Sequence, residues 1–150
     1  MALGYPYQHP IVVIGSKDSS GNITGATLTD AYGNSNTTAI VDTGGMSKLE
    51  LHIGYTQGSG ESGNSIQIRV EASPDRVNWY RFTNDSTSGA TSTLTQREFT
   101  FSAVSSAGTW DYISLPLDVS CDYVRISIKE SGVAANYGKV FCEVTISGDK

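Results

Sequence analysis

Along residues 48–55 the chain alternates strictly: Leu49, Leu51, Ile53 and Tyr55 are apolar or aromatic, and Lys48, Glu50, His52 and Gly54 fill the gaps. Successive side chains of a strand point to opposite faces, so this pattern predicts a half-buried β-strand. The same period returns along the chain. Ile66, Ile68, Val70 and Ala72 share one face against Gln67, Arg69 and Glu71, and Phe99, Phe101 and Ala103 repeat the arrangement. Val124, Ile126 and Ile128 alternate with outward Arg125 and Lys129, and Val140, Cys142, Val144 and Ile146 form a last apolar row. Shorter runs at 10–14, 38–43, 77–82 and 109–117 bring the expected total to about nine strands.

No window of eleven or more residues carries apolar groups at helical spacing, which makes the domain all-β. Strands with one wet face must bury the other against a second layer. The expected architecture is therefore a two-sheet antiparallel sandwich, jelly-roll-like, of about eight to nine strands. Residues 1–36 read as an extended N-terminal arm and a polar hairpin, and residues 37–150 as the β-sandwich domain. Two D-x-x-G-N segments, from Asp18 to Asn22 and from Asp30 to Asn34, predict turns, because Gly and Asn tolerate positive φ and Asp bonds its own backbone. Residues 84–93, NDSTSGATST, predict a surface loop.

Composition narrows the partners more than it alters the fold. The 150 residues carry a net charge of -5 and are 17% charged, against a usual value of about 25%. Ser and Thr fill 35 positions, so the outward faces are polar without being charged. An acidic chain with no basic run repels phosphate, and no nucleic-acid partner is expected. The longest apolar run, 11–14, is far short of the roughly 20 residues that cross a bilayer, so no membrane span is expected. The N-terminus has neither a basic start nor a long apolar stretch, so no secretory signal is expected either.

Candidate chemistry is sparse. His9 and His52 stand alone, without H-x-H, C-x-x-C or H-E-x-x-H spacing, and no G-x-S-x-G elbow marks a nucleophile. The expectation is a non-enzymatic protein without metal or cofactor. Calcium could be held by Asp and Asn oxygens of the two D-x-x-G-N segments, but both lack further acidic ligands, which favours plain turns. If the last two strands formed a simple hairpin, Cys121 and Cys142 would lie about 17 Å apart, too far to bridge. Free thiols are the expected state, with a bridge left open should those strands not be neighbours. Trp79 and Tyr80 are consecutive and point to opposite faces, whereas Trp110 and Tyr112 share a parity. These four residues make a possible aromatic binding surface, for subunit packing or for stacking on sugars.

The run Glu71-Ala72-Ser73-Pro74-Asp75-Arg76-Val77-Asn78-Trp79-Tyr80 resembles the S-P-D-G-x-N-W-Y signature of small β-sandwich proteins from the structural gene blocks of tailed bacteriophages. Flanking motifs are similar too: Gly44, Gly45, Leu49 and Leu51 before it, then the strand Y-V-R-I-S-I-K from Tyr123 to Lys129 and Gly138-Lys139-Val140 after it. Arg76 stands where that turn usually has Gly. The resemblance implies a virion component made in the host cytoplasm: a capsid decoration or cement protein, often a homotrimer, that binds the outer surface of the major capsid protein lattice and stabilises the head. Tyr5, Pro6 and Tyr7 are then candidate contacts to capsid or sister subunits, being bulky groups of low conformational entropy in a stretch without a core of its own. A tail or baseplate accessory domain and a carbohydrate-binding module are the alternatives.

Overall fold

A computed structural model describes residues 10–148, apart from the side chains of 84–88. In chain order the strands are β1 (Ile11–Ile14), β2 (Ser16–Lys17), β3 (Ile23–Thr24), β4 (Ala26–Thr27), β5 (Thr38–Asp42), β6 (Lys48–Thr56) and β7 (Ser65–Ser73). They continue as β8 (Tyr80–Arg81), β9 (Thr83–Ser88), β10 (Thr91–Gln96), β11 (Glu98–Ser102), β12 (Asp111–Asp118), β13 (Tyr123–Ser131) and β14 (Lys139–Ser147). Two antiparallel sheets pack face to face. The first has the order β1-β14-β6-β12 and the second β11-β7-β13-β5. Every connection between these eight crosses from one sheet to the other except the one from β7 to β11, which is the strand order of a jelly roll.

The period of two places the core. Leu49, Leu51, Ile53 and Tyr55 of β6 pair across the first sheet with Ile146, Val144, Cys142 and Val140 of β14, and all are buried. They face Ile66, Ile68 and Val70 of β7 and Val124, Ile126 and Ile128 of β13 in the second sheet. Each large side chain taken out of water contributes roughly 1.5–3 kcal/mol, so this alternation supplies most of the drive to fold. The last two long strands lie in different sheets and form no hairpin. Both cysteines are free, and burial pushes the Cys142 thiol up to about 12.

The edges depart from expectation. β1 and β4 both pair with β14 and make one edge strand, interrupted by an excursion that carries the small β2–β3 ribbon. Ile14 and Leu28, at the two ends of that excursion, are core residues. From Ile11 onward, the segment read as arm and hairpin is thus woven into the sandwich. The second sheet repeats the device: β8 and β11 share the free edge of β7, and the β9–β10 hairpin stands between them. That hairpin occupies what reads in sequence as the 84–93 loop. Its signal is the Gly89-Ala90 turn, with Gly89 at φ 63 as the first residue of a two-residue loop, flanked by β-favouring Thr. Of the 77–82 run, only Tyr80–Arg81 is strand.

One end of the sandwich is closed by buried carboxylates that satisfy loop backbone. Glu61 accepts N–H bonds from Ala134, Ala135 and Asn136 at 2.7–2.8 Å, which hold its carboxyl down at about 2. Glu130 is 1% exposed and accepts from Tyr55 Oη at 2.6 Å, Gly138 N at 2.6 Å and Asn64 Nδ2 at 3.3 Å. The Asp75 turn is built likewise: its carboxylate accepts the N–H groups of Val77 and Asn78 and the Asn78 amide. Those bonds hold Arg76 at φ 62, where glycine is favoured.

Two predictions follow from these turns. Because the Glu61 pKa is lowered on folding, its contribution is fully present above its ordinary value of 4.5 and lost as pH falls toward 2. The melting temperature should fall across that window, and Glu61→Gln should melt lower at pH 7 yet converge with the parent near pH 2. Arg76→Gly removes left-handed strain of about 1–2 kcal/mol against a glycine entropy cost of about 0.5–1 kcal/mol. It should raise the melting temperature by about 2 °C in calorimetry.

Candidate binding surfaces

The four aromatics singled out in sequence do not form one surface. Trp110 and Tyr112 belong to the first sheet, beside and within β12, while Trp79 and Tyr80 lie at β8 on the second. Trp110 and Tyr112 share one side, as their parity predicts. Tyr112 is opposite Gly54 in the β12–β6 register, and Trp110 Cε3, Ile23 Cδ1 and Tyr112 Cε1 all converge on the space a Cβ of Gly54 would enter, at 3.3–3.4 Å.

The β2–β3 excursion turns this outer face into a groove. Asp18 closes its tip, accepting from the N–H groups of Ser20 and Asn22 and from the Asn22 amide, all at 2.9 Å. These bonds lower its pKa, the Asn22 amide foremost, and identify the first D-x-x-G-N segment as a side-chain-closed turn. In the second such segment it is Asn34 that caps, taking the N–H of Asn36 at 2.9 Å. Lys17 lies over the Phe141 ring at 5.8 Å and pairs with Glu143 at 3.1 Å, so the ribbon covers Phe141, which is buried although it faces outward. Between ribbon and sheet runs an open cavity of about 420 Å³, with Ile23, Tyr112 and Phe141 as apolar walls and His52, Ser114 and Glu143 as polar ones. Tyr112 is 70% exposed and supplies a free ring face. Beyond Trp110 a second cavity of about 560 Å³ opens against Tyr137, Gln57 and Lys139.

On the second sheet, half-buried Trp79 carries the Arg125 guanidinium at 4.5 Å, and Arg125 in turn holds Glu71 at 2.7–2.8 Å. Tyr80 is 62% exposed. His52 lies on the groove wall with its Nε2 3.4 Å from Thr145 Oγ1, and no cluster of three His, Cys, Asp or Glu side chains converges as metal ligands among the described residues. His9, Tyr5, Pro6 and Tyr7 lie outside the described residues.

Sequence reading missed the structural role of Gly25 and Gly54, whose lack of a side chain lets Trp110 approach the sheet. The signal was present: glycine inside a strand pattern marks a close approach. No family model matches the chain, and no curated protein matches it.

A Cβ at Gly25 would fall 2.6 Å from Trp110 Cη2 and 2.8 Å from Lys139 Cβ. Gly25→Ala should therefore cost about 1–3 kcal/mol and shift the tryptophan emission as Trp110 is displaced. Unchanged melting and emission would mean that Trp110 does not pack on Gly25.

Proposed function

We propose that this chain is a non-catalytic virion protein of the capsid decoration type, a jelly roll whose excursions dock it on the outer face of a major capsid protein lattice, as a homotrimer. The observation that carries the reading is the β9–β10 hairpin. Its strands pair with each other and with neither main sheet, and Thr91, Ser92, Thr93, Leu94 and Thr95 of β10 are all exposed. A lone two-stranded ribbon is marginal in water, so one projecting from a sandwich is best accounted for by a surface that receives it. The resemblance of the 71–80 run to phage virion sandwiches supplies the identity of that surface. Glu61, Asp75 and Asp111 are consistent with a structural protein, since each is engaged by backbone N–H groups of a loop or turn. Tyr5, Pro6 and Tyr7 remain proposed contacts.

A second reading is favoured by the groove on the first sheet, where an exposed tyrosine faces hydrogen-bonding side chains, as a carbohydrate-binding module needs. A glycan panel tests it.

Phe82 and Arg97 flank the hairpin and are joined by an N–H···O bond of 2.8 Å, so residues 83–96 can be replaced by a short glycine link. The shortened chain should melt within a few degrees of the parent and lose co-sedimentation with undecorated capsids. Binding equal to the parent's would remove the hairpin from the mechanism. A parent chain that is monomeric by light scattering and binds no capsid would overturn the decoration reading.

A further inference from the structure

The outer face of the second sheet gathers cations that are scattered in sequence. In register, Ser127, Arg69 and Glu98 form one row across β13, β7 and β11, and Arg125, Glu71 and Arg81 form the next across β13, β7 and β8. All of these but Glu98 line a concavity of about 300 Å³, walled also by Tyr32 and Thr38. Three guanidiniums line it against the one carboxylate of Glu71, on a chain that is acidic overall.

The donors outnumber the acceptors. Arg125 commits Nε and Nη2 to Glu71 at 2.8 and 2.7 Å. Arg81 approaches the other Glu71 oxygen only to 3.8 Å and bonds the Gln96 amide oxygen. Arg69 reaches Glu98 with one Nη at a long 3.4 Å, while its Nε is buried without an acceptor. A buried N–H that lacks a partner is costly, and it marks a guanidinium whose donors Glu98 does not satisfy. The guanidiniums are also held in place beforehand: Arg69 lies 4.0 Å over the Tyr32 ring, which Lys129 approaches at 4.7 Å, and Arg125 lies on Trp79. The Thr38 and Ser127 hydroxyls, bonded to each other at 3.2 Å, leave one O–H between them as a neutral donor.

We infer that this socket binds a carboxylate group of a ligand or partner, seated between Arg69 and Arg81. Planar guanidinium forks match a carboxylate in two-point geometry. The anions that these arginines already hold, Glu71 and Glu98, are carboxylates, and a ligand carboxylate repeats that pairing on the donors left over. This inference is independent of the capsid reading. The carboxylate can come from an acidic side chain or from a sugar acid, and the test separates them.

The side-chain Nε–H signals of the arginines in the ¹⁵N-labelled full chain are followed at low ionic strength while N-acetyl-glutamate amide, N-acetylneuraminate, inorganic phosphate or chloride is added. The expected result is a saturable shift of the Arg69 Nε–H with at least one carboxylate and only weak, non-saturating drift with phosphate and chloride. Whichever carboxylate saturates at lower concentration identifies the source. Arg81→Gln, at a half-exposed position and checked for an unchanged melting temperature, should weaken that binding roughly fivefold or more. No saturable shift with either carboxylate, an equal response to phosphate or chloride, or an Arg81→Gln variant that binds like the parent would each overturn the inference.

Discussion

Glu130 is the polar point around which the two sheets are set. It stands on β13 of the second sheet yet bonds Tyr55 of β6 in the first and the N–H of Gly138, which leads into β14. A buried carboxylate must be met by donors, and a displacement of one sheet against the other by a single residue would strip this one of its partners. Burial and Glu130 together hold the Tyr55 hydroxyl protonated far above its ordinary range. The neighbouring Asn64 passes the network on to Glu61, and Glu61 fixes the loop that carries Gly138. Apolar burial drives the sandwich together, and this cluster sets the relative position of its sheets at one end.

Against that fixed frame, each sheet carries one edge strand broken by a hairpin. An uninterrupted edge exposes a row of unpaired N–H and C=O groups, and an excursion shortens it. The two excursions end differently because their residues differ. The β2–β3 ribbon has Ile23 and the Lys17 stem to set against Trp110 and Phe141, and it lies down on the sheet. On β10 of the other hairpin, Leu94 is the one aliphatic side chain and is 70% exposed, so little draws the ribbon back. One excursion builds a groove and the other projects.

Charge follows a similar division. The carboxylates that cap loops and turns, Glu61, Asp75, Asp111 and Asp18, are taken up by backbone or side-chain donors. Four cations, Arg69, Arg81, Arg125 and Lys129, come together on the outer face of the second sheet with Tyr32 and Trp79 beneath them. The acidic balance of the whole chain describes its average surface and says little about that face. Low overall charge sharpens this contrast, since few other groups compete with the cluster.

Local pattern was enough to read the long strands, their buried faces, the all-β class and the closed Asp18 turn, because alternation and turn chemistry are properties of neighbouring residues. Parity even showed that Arg69, Arg125 and Lys129 face outward and that Trp110 and Tyr112 share a side. Which strands lie next to each other was not legible, and the candidate surfaces depend on that. Pairing of β7 with β13, far apart in sequence, brings Arg69 beside Ser127 and Arg125 beside Glu71, and the return of the chain at β4 joins Ile23 to the Trp110 wall. The alternation of side chains sets which face of a strand is buried. Only the packing of two sheets, with the loop-closing carboxylates between them, decides which exposed faces become neighbours.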